Sequence, residues 1–144
     1  MAMSSLKPVY TGKATATGGG RDGHVVTDDK RIDLDVRRPE EMGGDGQGTN
    51  PEQLVGAGWA ACFNGAVHAI LDQEKISVSR DPEVEVLATI NKSDSGMVIT
   101  ADITATFFDL DQEQADDVVS KAHDMCPYSN AMKTVDTTVT AKVA

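Results

Sequence analysis

From Gln53 to Leu71 the chain reads QLVGAGWAACFNGAVHAIL, without one Asp, Glu, Lys or Arg. No other stretch restricts the fold as much. Pro51 suits the first position of a helix, where a missing N–H costs nothing. Asn50 is then the N-cap, and Gln53 completes a capping box. A helix apolar on nearly every side is either the centre of a soluble core or a membrane span. The run keeps Gln53, Asn64 and His68 and three glycines, and its alanines are only mildly apolar. The expectation is therefore a central core helix, and no membrane partner.

The flanking segments alternate. Val9 to Thr17 reads as a strand broken by Gly18, Gly19 and Gly20. His24 to Thr27 and Ile32 to Val36 read as two strands joined at Asp28-Asp29-Lys30. In the latter Ile32, Leu34 and Val36 alternate with Asp33, Asp35 and Arg37, so one face is wet. Arg38 to Gly48, rich in Gly and acids, is a surface loop. After the long helix ends near Asp72, Glu83 to Asn91 and Met97 to Phe107 form an antiparallel pair around Ser93-Asp94-Ser95-Gly96. Asp111 and Gln114 make a second capping box, and Ala115, Val118, Val119 and Ala122 give that helix an apolar stripe. Cys126-Pro127 interrupts it, and Val135 to Val143 closes the chain as a strand.

The order β-β-β-α-β-β-α-β has too few helices for a doubly wound parallel sheet. It describes one α+β domain over residues 1–144, with antiparallel strands wrapped around a central buried helix. One small sheet does not cover a helix that is apolar all round, so a second subunit is expected to supply the rest. A formal charge of −10 repels phosphate backbones and anionic surfaces and excludes nucleic acid as a natural partner. The opening MAMSSLKPVY has no basic segment followed by an apolar one, so no secretory signal and a reducing, cytoplasmic setting are expected. The two cysteines, Cys62 and Cys126, lack zinc-ligand spacing. In a reducing compartment a disulfide between them would be transient and catalytic.

Cys62 is either inert packing in an Ala-rich helix or a reactive thiol. Three residues bear on the choice. Arg21 sits in the glycine turn, where it is either a solvated charge or a guanidinium that lowers the pKa of a sulfur. Glu52, in the first helical turn, either complements the macrodipole or holds Arg21 through a bidentate pair. Cys126, as N-cap of a new turn, is either structural or a resolving thiol whose sulfur faces free N–H groups. Glu52 and Cys62 lie about 15 Å apart along a straight helix. They share a site only if the helix kinks at Gly56 or Gly58, or if two antiparallel copies of it meet in a symmetric dimer; the second arrangement is the one expected. His68 reads as a packed or interface residue, and His24 and His123 as surface groups. Tyr128 and Asn130 are candidates to orient the Cys126 loop, though helix capping explains Asn130 as well.

Four phrases in this order resemble the organic hydroperoxide resistance proteins: ATATGGGRDG, GGDGQGTNPEQLVGAGWAACF, the paired strands to Phe108, and CPYSNA. The last sets the chain nearer to that family than to its sister, the osmotically inducible proteins. A third glycine before Arg21 is a departure that lengthens the expected turn. The resemblance implies an intertwined α+β homodimer with two interfacial sites. It also implies a thiol peroxidase in which Cys62 is peroxidatic, Arg21 and Glu52 activate it, and Cys126 resolves it through an intramolecular disulfide. Substrates would be alkyl and fatty-acid hydroperoxides, and the reductant a dihydrolipoyl group on a lipoylated protein. No metal, flavin or haem cofactor is implied. Broad-specificity peroxide reduction, and a lipid-binding module with inert cysteines, remain as competing readings.

Overall fold

A computed structural model describes residues 5–144. Residues 1–4, part of the start read for a signal segment, lie outside that range. The chain forms two compact bodies, one ending at Pro51 and the other spanning Glu52–Ala144.

The first body is a three-stranded antiparallel sheet of β1 (Ala14–Gly19), β2 (Asp22–Thr27) and β3 (Asp33–Asp35), in that order. The first strand starts later than its alternation suggests. Ala14 pairs with Thr27, where β2 ends, so residues before it have no strand to pair with, and Val9 is 99% exposed. Gly18 and Gly19 continue the strand rather than break it, pairing with Gly23 and Asp22. The hairpin closes through only Gly20 and Arg21, with Gly20 at φ 70°, so the third glycine makes a tight turn instead of a longer one. Across β2 and β3, His24 lies between two carboxylates, with Nδ1 2.9 Å from Asp35 and Nε2 2.6 Å from Asp33. The loop after β3 contains one 3-10 turn, Glu40–Met42. Its ends are drawn together where the Arg37 N–H donates to Thr49 and the Thr49 N–H to Asp35, each at 2.9 Å.

The second body is built on α1 (Pro51–Gln73), unbroken through Gly56 and Gly58. It packs on a sheet ordered β4 (Glu83–Ser93), β5 (Gly96–Phe107), β6 (Asp136–Val143). β4 and β5 are the expected antiparallel hairpin. β6 runs parallel to β5, a difference from the antiparallel expectation. The reason is the connection: α2 (Gln112–Met125) and α3 (Pro127–Ala131) carry the chain back to the start of the sheet, as a parallel pairing requires. Asp111 and Gln114 close the capping box at α2 reciprocally, and Ala115, Val118, Val119 and Ala122 are buried.

The core joins Trp59, Phe63, Val67 and Ile70 of α1 to Ile103 and Phe107 of β5 and to the buried stripe of α2. Each fully buried large side chain contributes about 1.5–3 kcal/mol. α1 is long and apolar enough to cross a membrane by length and composition, yet its large residues are spent in this core. Burial within one chain is one-sided: Ala57, Ala61 and Gly65, at successive turns of α1, are exposed, on the side for which a second subunit is expected to supply cover.

Candidate active site

Cys62 projects from the middle of α1, half-buried, on the face toward α3. Cys126 is the hinge residue between α2 and α3, extended at φ −63°, ψ 121°, and its side chain is fully buried. The chain breaks there because Pro127 has no N–H to continue α2 and favours an extended residue before it. The break brings the two sulfurs to 3.4 Å, with the Cys126 thiol donating to Cys62. Both are free thiols. Residues 64 apart in sequence thus meet within one chain.

The first turn of α3 does more than hold Cys126. The Tyr128 backbone N–H, free because it starts a helix, bonds the Cys62 sulfur. The sequence suggested that such N–H groups would serve Cys126. That expectation fails, because the Cys126 side chain makes no cap bond and turns toward Cys62. Burial pushes the Cys62 thiol above its ordinary value of 9.0, the Tyr128 N–H pulls it back, and the neighbouring Cys126 thiol adds to the rise. A thiol in this position needs a cation to become a thiolate near neutral pH.

Two further contacts fix α3 on α1. The indole N–H of Trp59 donates to Ser129 Oγ at 3.1 Å, with both residues buried. The Tyr128 ring covers Gly58 so closely that a Cβ there would lie 2.6 Å from its hydroxyl oxygen. Asn130 Nδ2 donates to the Asp124 carbonyl at 3.0 Å, tying the new helix to the end of the old. Trp59 and Ser129 escaped the sequence reading. The available signal was that a buried indole N–H must find an acceptor.

Arg21 occupies the second position of the β1–β2 turn in the first body, and Glu52 the first turn of α1 in the second. The unbroken helix keeps Glu52 about 15 Å along the axis from Cys62. His68 is half-buried. His123, expected at the surface, is instead half-buried near Phe63, ring centroids 6.4 Å apart, with its Nδ1 buried and unpartnered. Among the described residues no group of three His, Cys, Asp or Glu is placed to hold a metal.

Residues 44–141 match the family described as OsmC-like protein. An organic hydroperoxide resistance protein of Xanthomonas axonopodis pv. citri is 40% identical over 95% of this chain and 97% of its own length. The crystal structure of an organic hydroperoxide resistance protein from Legionella pneumophila superimposes with a TM-score of 0.89 at 39% identity, covering 94% of this chain and 99% of that one. One from Elizabethkingia anophelis gives a TM-score of 0.91 at 34% identity, covering 96% of this chain and 100% of that one.

Proposed function

We propose that this chain, which belongs to the OsmC-like family and within it to the organic hydroperoxide resistance proteins, is a cysteine-based peroxidase that reduces organic hydroperoxides to alcohols. The observation that carries the reading is the 3.4 Å approach of two free thiols, one of them fully buried, from separate helices of one chain. Packing alone gives no reason for a second thiol to point at the first.

In this reading Cys62 thiolate attacks the distal oxygen of the hydroperoxide. The O–O bond breaks, the alkoxide takes a proton and leaves as alcohol, and Cys62 becomes a sulfenic acid. Cys126 then attacks the Cys62 sulfur. The S–O bond breaks, a disulfide forms and water leaves with the Cys126 proton. A dihydrolipoyl dithiol restores both thiols by two exchanges. Arg21 supplies the cation that the half-buried Cys62 thiol requires, and Glu52 holds its guanidinium. The exposed small residues of α1 are where a second copy would pack, so that Glu52 of one protomer approaches Cys62 of the other. Both bodies then serve one peroxidase domain over residues 1–144, acting in the cytoplasm during oxidative stress.

The test is peroxide-driven thiol loss. Reduced protein mixed with one equivalent of cumene hydroperoxide should lose both thiols and yield a Cys62–Cys126 bond within one chain by peptide mass. Cys126→Ser should react once and then overoxidise. Two thiols still free after minutes would overturn the proposal in favour of a binding module with inert cysteines.

A further inference from the structure

α3 has only five residues, Pro127–Ala131. A helix that short does not hold its shape unaided, so its position depends on what ties it to α1. Gly58 and Trp59 precede Cys62 by four and three residues, so each lies one turn from it along α1. Opposite them stand Tyr128, Ser129 and Cys126. Of the contacts between the two sets, the sulfur pair is consumed by the chemistry, and the Tyr128–Gly58 contact is steric. The Trp59–Ser129 hydrogen bond is different: it is directional, buried at both ends, and made by groups that take no part in the reaction. It lies one helical turn from Cys62 on α1 and three residues from Cys126.

We propose that the Trp59–Ser129 hydrogen bond is a latch that keeps the first turn of α3 docked on α1, making Ser129 and Trp59 positioning residues for the resolving step. The inference rests on the peroxidase reading above. Docked, the Cys126 thiol stands beside Cys62 and the Tyr128 N–H points at the reacting sulfur. Once Cys62 is a sulfenic acid, two reactions compete for it. Attack by Cys126 gives the disulfide and water. Attack on a second hydroperoxide, which is reduced to alcohol, converts the sulfenic to the sulfinic acid and ends the cycle. The latch sets the ratio, because only the docked turn presents Cys126.

Without its acceptor the indole N–H stays buried and unpaired in the docked state, a loss that moves a docked–undocked equilibrium about five- to a hundredfold. Ser129→Ala should therefore raise the sulfinic share under excess cumene hydroperoxide by about tenfold, read by intact mass. It should also move the pH profile of Cys62 alkylation away from the wild-type curve, because the Tyr128 N–H, the Cys126 thiol and part of the cover over Cys62 leave with the turn. Ser129→Thr keeps an acceptor oxygen and should restore both readouts to within about twofold. A variant that is merely less stable would melt earlier yet partition and titrate as the wild type; that result from Ser129→Ala overturns the latch. A wild-type protein that forms no disulfide refutes the peroxidase reading instead. The alkylation profile then decides the latch alone, a displaced Cys62 profile in Ser129→Ala that Ser129→Thr restores supporting it and an unchanged one refuting it.

Discussion

Gly58→Ala sets two effects of similar size against each other. Replacing glycine by alanine inside a helix stabilises it by about 0.8–1 kcal/mol. At this position the new Cβ would lie 2.6 Å from Tyr128 Oη, 3.1 Å from Cζ and 3.4 Å from Cε1. Carbon atoms rest at about 3.5–4.0 Å, so the ring has to retreat by roughly 1 Å. Overpacking of this kind costs about 1–3 kcal/mol, and the lower end applies because Tyr128 is 39% exposed and has room to move. The two nearly cancel, and the melting temperature should stay within about 3 °C of wild type. Reactivity should not be spared. If the ring braces α3, its retreat draws the Tyr128 N–H off Cys62, and alkylation at neutral pH should fall about fivefold, the order expected for part of a hydrogen bond to a charged group. Tyr128→Phe in the same background removes the closest clashing atom and should recover most of the rate. A Gly58→Ala protein that melts about 3 °C higher and alkylates like wild type would refute the argument, since the ring would then swing aside without moving its backbone.

Other outcomes follow from the same geometry. Arg21→Ala should slow the first thiol loss far more than Lys13→Ala, which removes a charge from the same body; equal losses in stopped-flow traces would remove Arg21 from the mechanism. Forming the Cys62–Cys126 bond closes a loop of 64 residues, worth at most about 4 kcal/mol of unfolded-state entropy. Peroxide-oxidised protein should accordingly melt up to about 10 °C above the reduced form, and an oxidised form that melts lower would mean the hinge resists the bond. The hydrogen bonds of His24 to Asp35 and Asp33 raise its pKa above the ordinary 6.5. Its contribution to stability is complete below 6.5 and fades as pH rises through the raised value. Asp35→Asn should return the ring's NMR titration midpoint toward 6.5, and an unmoved midpoint would sink the assignment.

Periodic features were legible in the chain. The uncharged run gave α1, the Asp111–Gln114 box gave the start of α2, and Val84 to Ile90 against Ile99 to Phe107 gave the hairpin, because each depends on neighbours in sequence. The meeting of Cys62 and Cys126 could be suspected from Pro127, which forces a break beside a thiol. What the sequence hid depends on partners far along the chain. β1 begins at Ala14 only because β2 ends at Thr27. The direction of β6 depends on how far α2 and α3 carry the chain before it enters the sheet. Ser129, one polar residue among several in CPYSNA, acquires its role from an indole 70 positions earlier.

The parallel pairing of β6 with β5 also bears on what a bond between Cys62 and Cys126 would do to the rest of this body. The Cys126 hinge lies inside the crossover, and the strands at both ends of that crossover are clamped together over eight residue pairs, from Thr100–Asp136 to Phe107–Val143. Movement at the sulfur is therefore movement of an arch whose two feet stand on one plate. Closing or opening the bond flexes the arch while the footings keep their register. In the peroxidase reading proposed above, hydrogen exchange should find the β5 and β6 amides alike in both oxidation states while those around Cys126 differ.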